Sequence, residues 1–231
     1  MDFLSEGLKR ALDLIVAADP ELVGITLLTL RVGVVATVVA CAVGMPLGFW
    51  LGTGRFWGRR AALTVVNTSL AFPTVVAGLF VFGMFSRRGP LGALGWLYDW
   101  KAIVVADVLL AVPVATALSA AAVQGVDPRV RRTALTLGAS PLRAAWEVVR
   151  HARFALAAVT TAAFGQVVAE VGAAMIAGGN IRGETRTLTT AVALYTSQGE
   201  FGMAVAIGLI LILLALAVNV VLQMFQGQGD A

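Results

Sequence analysis

The sequence predicts an all-α integral membrane fold, with five transmembrane helices after an N-terminal interfacial helix. Hydrophobic residues make up 59% of the 231 positions and charged residues 13%, with a mean hydropathy of +0.88. A water-soluble domain carries about 25% charged residues. Five segments, 25–52, 61–86, 102–124, 152–177 and 202–225, reach the roughly 18–25 residues that cross a ~30 Å hydrocarbon core. Spans and connections use nearly the whole chain, so residues 1–231 are read as a single transmembrane domain without a separate soluble unit.

Before the first span, Leu4, Leu8, Leu12 and Ile15 recur at helical spacing, and Asp19-Pro20 ends the run. This predicts an interfacial helix over residues 1–20 lying on the lipid surface. Its acidic residues, Glu6, Asp13, Asp19 and Glu21, are unlike a cleavable signal peptide. The first, second and third spans carry Gly44-Met45-Pro46, Pro73 and Pro113, which predict bent helices in a packed bundle.

Basic residues orient the spans. Nine of them, Arg55, Arg59, Arg60, Arg129, Arg131, Arg132, Arg143, Arg150 and Arg153, follow the first and third spans. Seven fall on the opposite side, and Arg31 lies within the first span. The positive-inside rule then puts the N-terminus outside, the C-terminus inside and loop 127–150 in the cytoplasm. These arginines mark membrane edges, so the basic balance does not indicate nucleic acid. The single Cys41 and single His151 give no disulfide within the chain and no metal cluster.

Three ionisable residues are predicted inside the spans: Arg31, Asp107 and Glu170. At ~1.5 Å per residue they lie roughly 9, 8 and 11 Å below the outer span ends. Equal depth predicts that Arg31 pairs with Asp107 or Glu170, unless it snorkels outward. Gln166, one turn before Glu170, extends a polar stripe beside the small residues Gly165, Ala169, Gly172 and Ala173.

The loop from Asp127 to Arg150 reads as two short helices around a break. Gly138 suits a left-handed stop, Ser140 an N-cap and Pro141 a first helical position. Ala134, Leu137, Gly138, Ala139 and Ser140 resemble the coupling-helix motif of permease subunits of ATP-binding-cassette (ABC) importers. Arg132 and Thr133 stand where that motif has other residues. A second block runs from Glu170-Val-Gly to Gly179-Asn180-Ile-Arg182-Gly183-Glu-Thr185-Arg186 and on through Leu-Thr-Thr-Ala. It resembles the molybdate and sulfate permeases, and most of all the tungstate permeases, as do Phe72-Pro-Thr-Val-Val-Ala-Gly and Gln124-Gly-Val-Asp-Pro-Arg.

The resemblance implies a type I ABC importer permease for an oxyanion, tungstate before molybdate or sulfate, acting as a homodimer. It implies coupling to an ATP-binding-cassette ATPase through residues 134 and 137–142, the last two being Pro141 and Leu142. An extracytoplasmic oxyanion-binding protein would deliver the cargo. The only lysines, Lys9 and Lys101, follow Leu8 and Trp100, so the chain has no Walker A motif. Catalytic residues, metal and cofactor are therefore not expected in it, and ATP-Mg would bind the partner ATPase. A secondary anion transporter is the alternative, but five spans offer no inverted repeat. Outside, Gly179, Asn180, Arg182, Gly183 and Arg186 are read as an anion-binding concavity or a plain turn.

Overall fold

In a computed structural model the chain is an assembly of packed apolar helices. The structure describes residues 8–9, 12–13, 16–17 and 19–227, the side chains of 225–227 excepted. The interfacial helix expected over residues 1–20 lies for the most part outside the described residues. The helices are α1 (Pro20–Thr53), α2 (Arg59–Ser69), α3 (Thr74–Phe85), α4 (Trp100–Gln124), α5 (Pro128–Thr136), α6 (Pro141–His151), α7 (Arg153–Val168), α8 (Gly172–Gly178), α9 (Leu188–Ser197) and α10 (Phe201–Gly227).

Three of these, α1, α4 and α10, are long and apolar enough to cross a membrane unaided. The pairs α2–α3 and α7–α8 are bent by 97° and 60°, and counting each as one span brings the total to five. The first break precedes Thr74, where Pro73 offers no N–H and holds Phe72 away from helical geometry. The second, at 169–171, corrects the expectation of an unbroken fourth span. The Glu170 side chain stabilises it: Oε1 accepts from the Ala173 N–H at 2.9 Å, satisfying a free amide at the start of α8. By contrast, α1 runs unbroken through Pro46 and α4 through Pro113.

Asp19 caps α1 by accepting from the amides of Glu21 and Leu22 at 3.0 and 3.1 Å. With 34 residues α1 is about 51 Å long, more than the hydrocarbon thickness. Its other end is capped by Arg59, whose Nε donates to Leu51 O at 2.7 Å and Nη2 to Gly52 O at 3.3 Å.

The α1–α4 contact is the most extensive between the described helices. Gly44, Gly48 and Gly52 form one stripe of α1 against Ala115, Ser119, Ala120 and Val123 of α4. A Cβ on Gly44 would stand 2.6 Å from Ala115 Cβ, and one on Gly48 2.5 Å from Thr116 O. In lipid no hydrophobic drive brings helices together, so packing at this range must supply the attraction. The half-length helices α3 and α8 meet in the same way, where a Cβ on Gly78 would lie 2.9 Å from Ala173 Cα. Around these seams are clusters built on Val32, Ile103 and Val167, on Val81, Phe85 and Leu110, and on Leu22, Leu188 and Ile207.

Gly48→Val is expected to destabilise the detergent-solubilised protein by about 1–3 kcal/mol, as overpacking does. Gly24→Val, where nothing lies within 4 Å, is expected to leave thermal unfolding unchanged.

Candidate functional site

At one end of the bundle stands the α5–α6 hinge. Asp127 accepts from the Arg129 amide at 2.8 Å and starts α5, with Pro128 next. The helix stops in a Schellman arrangement. Gly138, at φ +84°, donates its N–H to Leu135 O at 3.1 Å, and Ala139 donates to Ala134 O at 3.0 Å. Ser140 Oγ then accepts from the Arg143 amide at 3.3 Å and Pro141 opens α6. Ala134 and Ala139 are half-buried, while Leu137, Gly138, Ser140, Pro141 and Leu142 are exposed.

Only Ala144 and Val148 of α6 are buried, and its other side carries Leu142 and Trp146, 82% and 66% exposed. Leu137 adds a third exposed apolar side chain at 81%. Three large apolar groups thus stand exposed around the break. Trp146 was not among the residues read from the sequence. Its signal was available in its helical spacing from Leu142, four residues earlier.

A buried polar centre lies between the ends. Asp107, Glu170, Thr29, Thr187 and Thr189 line one small cavity with Gly33 and Val167. Asp107 and Glu170 are 3% and 7% exposed. Thr29 Oγ1 donates to Ile25 O at 2.8 Å and accepts from the Leu188 amide at 2.9 Å, tying α1 to α9. Thr189 Oγ1 donates to Glu170 O at 2.8 Å, tying α9 to the α7–α8 break. Asp107 Oδ1 has no hydrogen-bond partner among the described residues.

Arg31 is not part of this centre, which corrects the pairing expected from depth. Its guanidinium lies 3.8 Å from the centroid of the Trp100 ring, and no carboxylate among the described residues is within salt-bridge range of it. The reason is azimuth. Thr29, Val32 and Gly33 face the cavity, and Arg31 projects about 150° round α1 from them. Gln166 is likewise corrected: it is exposed on α7, whereas Glu170 sits in the break and is buried. Gly165 and Ala169 are exposed too, so the small-residue stripe packs only from Gly172 onward.

The loop after α8 is a hydrogen-bonded turn. Gly179 and Asn180 have positive φ, +74° and +52°, as does Gly183 at +78°. Thr185 Oγ1 accepts from the Ile181 amide at 2.9 Å and donates to Gly178 O at 2.6 Å, while the amides of Glu184, Thr185 and Arg186 donate to Ile181 O. Asn180 Nδ2 donates to Thr190 O at 3.4 Å. The amides of Ile181, Glu184, Thr185 and Arg186 are thus taken within the loop, which forms a turn that links α8 to α9. Arg182 makes a two-pronged pair with Glu21, and Arg186 Nη1 reaches Glu21 Oε1 at 3.4 Å. Glu21, at the start of α1, was missed because 161 residues separate it from Arg182.

Among the described residues, an all-helical apolar bundle with broken spans and an exposed hinge at one end is the architecture of an integral membrane protein. The chain belongs to the family of binding-protein-dependent transport system inner membrane components, whose model matches residues 44–227. Family membership implies an ATPase and a substrate-binding protein as partners in general. The chain is 35% identical over 226 residues to the tungstate uptake system permease protein TupB of Peptoclostridium acidaminophilum, covering 98% of this chain and 99% of that one. It is 39% identical over 207 residues to the TupB of Campylobacter jejuni, covering 90% and 87%. The molybdenum transport system permease protein ModB of Escherichia coli is more distant, at 28% over 199 residues, 82% and 86% of the two chains. Among solved structures, that of an amino acid ABC transporter with histidines shares the fold, with a TM-score of 0.64 at 16% identity, covering 92% of this chain and 95% of that one.

Thr185→Val removes one acceptor and one donor from the outer turn. The expected cost is about 1–3 kcal/mol, seen as faster amide hydrogen exchange across residues 178–187 and little change elsewhere.

Proposed function

We propose that this chain is the transmembrane permease subunit of an ATP-driven oxyanion importer in the cytoplasmic membrane, with tungstate as cargo ahead of molybdate and sulfate. The observation that carries the reading is the α5–α6 hinge, a rigid break that presents Leu137, Leu142 and Trp146 outward on a chain of this permease family. Similarity to permeases named for tungstate uptake over nearly the whole chain supports the cargo.

In this reading residues 1–231 act as one permease domain, with the N-terminus outside and the C-terminus inside. Ala134, Leu137, Gly138, Ala139, Ser140, Pro141 and Leu142 dock in a groove of an ATP-binding-cassette subunit, which binds ATP-Mg. This chain needs no cofactor or metal of its own. The fold groups the loops in the manner that sidedness requires. Arg55 and Arg59 share a pocket with Asp127, Arg131 and Arg132, while Glu21 meets Arg182 and Arg186 at the start of α1. A separate oxyanion-binding protein selects the cargo and docks at the 179–186 end.

Two copies pair to enclose the path. The absence of any buried residue in α2 and the exposure of Gly165, Gln166 and Ala169 on α7 support this, since these polar or small faces are left for a second copy. Glu170, with Thr29 and Thr189, holds α1, α8 and α9 together rather than touching the cargo, because a carboxylate lining the path would repel an anion.

The test is transport by proteoliposomes that hold the permease with its ATPase and binding protein. A Cβ on Gly138 meets nothing within 4 Å, so Gly138→Val perturbs only the left-handed backbone. Such a residue costs about 1–2 kcal/mol there, enough to shift the hinge equilibrium roughly tenfold away from the docking geometry. Tungstate uptake is expected to fall about tenfold while basal ATP hydrolysis persists. Equal uptake by wild type and variant would refute coupling through the hinge. Stronger competition by sulfate than by tungstate would overturn the cargo alone.

A further inference from the structure

Arg31 sits in the first span with no counter-ion among the described residues, and its surroundings suit a ligand that also lives in the membrane. Its guanidinium stacks on Trp100, the first residue of α4. An indole at a helix start marks the water–lipid boundary, so the charge has climbed from its Cα towards headgroup level. There it borders an open pocket shared with Arg182, Arg186, Glu21 and Glu184, floored by Gly24 and Leu27. Glu21 is already committed to two arginines: Oε1 accepts from Arg182 Nε at 2.8 Å and Arg186 Nη1 at 3.4 Å, and Oε2 pairs with Arg182. Arg186 Nε is buried and has no hydrogen-bond partner among the described residues. Three cations thus face two carboxylates, one of them fully used.

Below this pocket the same face of α1 is apolar and open. Val34 and Val38, at i+3 and i+7 from Arg31, are 50% and 61% exposed. A cation without a carboxylate partner at headgroup level, beside a bare aliphatic stripe, matches the two halves of a phospholipid. A free oxyanion would use only the upper half.

We infer that the Arg31–Trp100–Arg186 pocket is a binding site for the phosphate headgroup of an anionic phospholipid, in the leaflet at the Pro20 end of α1, with an acyl chain along Val34 and Val38. Arg31 supplies a charge-assisted donor fork to the phosphate, held in place by the indole beneath it. The site is separate from the hinge and does not depend on which cargo the importer carries.

Native mass spectrometry tests this on the full transporter complex, released from nanodiscs that contain phosphatidylglycerol and phosphatidylcholine. The wild type is expected to retain phosphatidylglycerol, and Arg31→Gln to lower its occupancy about tenfold, the loss expected for one charged hydrogen bond. Arg88→Gln, in the exposed loop after α3, is expected to behave as wild type. Excess inorganic phosphate is expected to leave retention unchanged. Equal retention by wild type and Arg31→Gln, with both complexes intact, would overturn the inference. Displacement of the lipid by inorganic phosphate would overturn it in favour of a free-anion site. Weaker capture of the binding protein by Arg31→Gln with lipid retention unaltered would overturn it in favour of a protein contact.

Discussion

The close approach of α1 to α4 is the constraint on which the rest of the bundle hangs. α4 is the most enclosed of the long helices, and α1 reaches it through Gly44, Gly48 and Gly52. Because hydrocarbon is as apolar as a leucine side chain, this contact is stabilised by dispersion at short range and not by release of water. Both functional ends follow from it. At one end the last turn of α1 is capped by Arg59 next to Asp127, where the hinge begins. At the other, the same register brings Arg31 over Trp100 and Thr29 to the amide of Leu188.

Breaks in the second and fourth spans add a second constraint. α3 and α8 are too short to cross a membrane, and each packs on the other through a glycine or alanine backbone. The freed polar groups at the α7–α8 break are met by side chains: Glu170 answers the Ala173 amide and Thr189 answers the Glu170 carbonyl. Irregular backbone within a bundle persists only with such internal partners. This places the buried carboxyl of Glu170 among the groups that hold the fold, beside Asp107 in one cavity.

The apolar runs and the hinge chemistry were legible in the sequence because both are local. Gly138, Ser140 and Pro141 have the left-handed, N-cap and first-turn geometries that those residue types favour. The break at 169–171 was not legible, since no proline marks it and its stabilising bond comes from a glutamate that reads equally well as an intramembrane charge. Depth along each span located Arg31, Asp107 and Glu170 in one slab but carried no information on azimuth, which sends Arg31 to the opposite face of α1. The Glu21 pairs with Arg182 and Arg186 join residues 161 and 165 positions apart, and no short-range pattern announces them. The glycine stripe at 44, 48 and 52 was visible as a four-residue repeat, yet the nearby Pro46 drew the reading towards a modified helix, and α1 continues through it.

Cysteine cross-linking at Leu142 addresses the central claim most directly, because it asks where the hinge is and what it touches. With Cys41 replaced, a cysteine at position 142 in the intact complex is predicted to cross-link to the ATPase subunit. It should also resist a membrane-impermeant thiol reagent applied from outside. Labelling of that cysteine from the external face, or cross-links to the binding protein in place of the ATPase, would contradict the account.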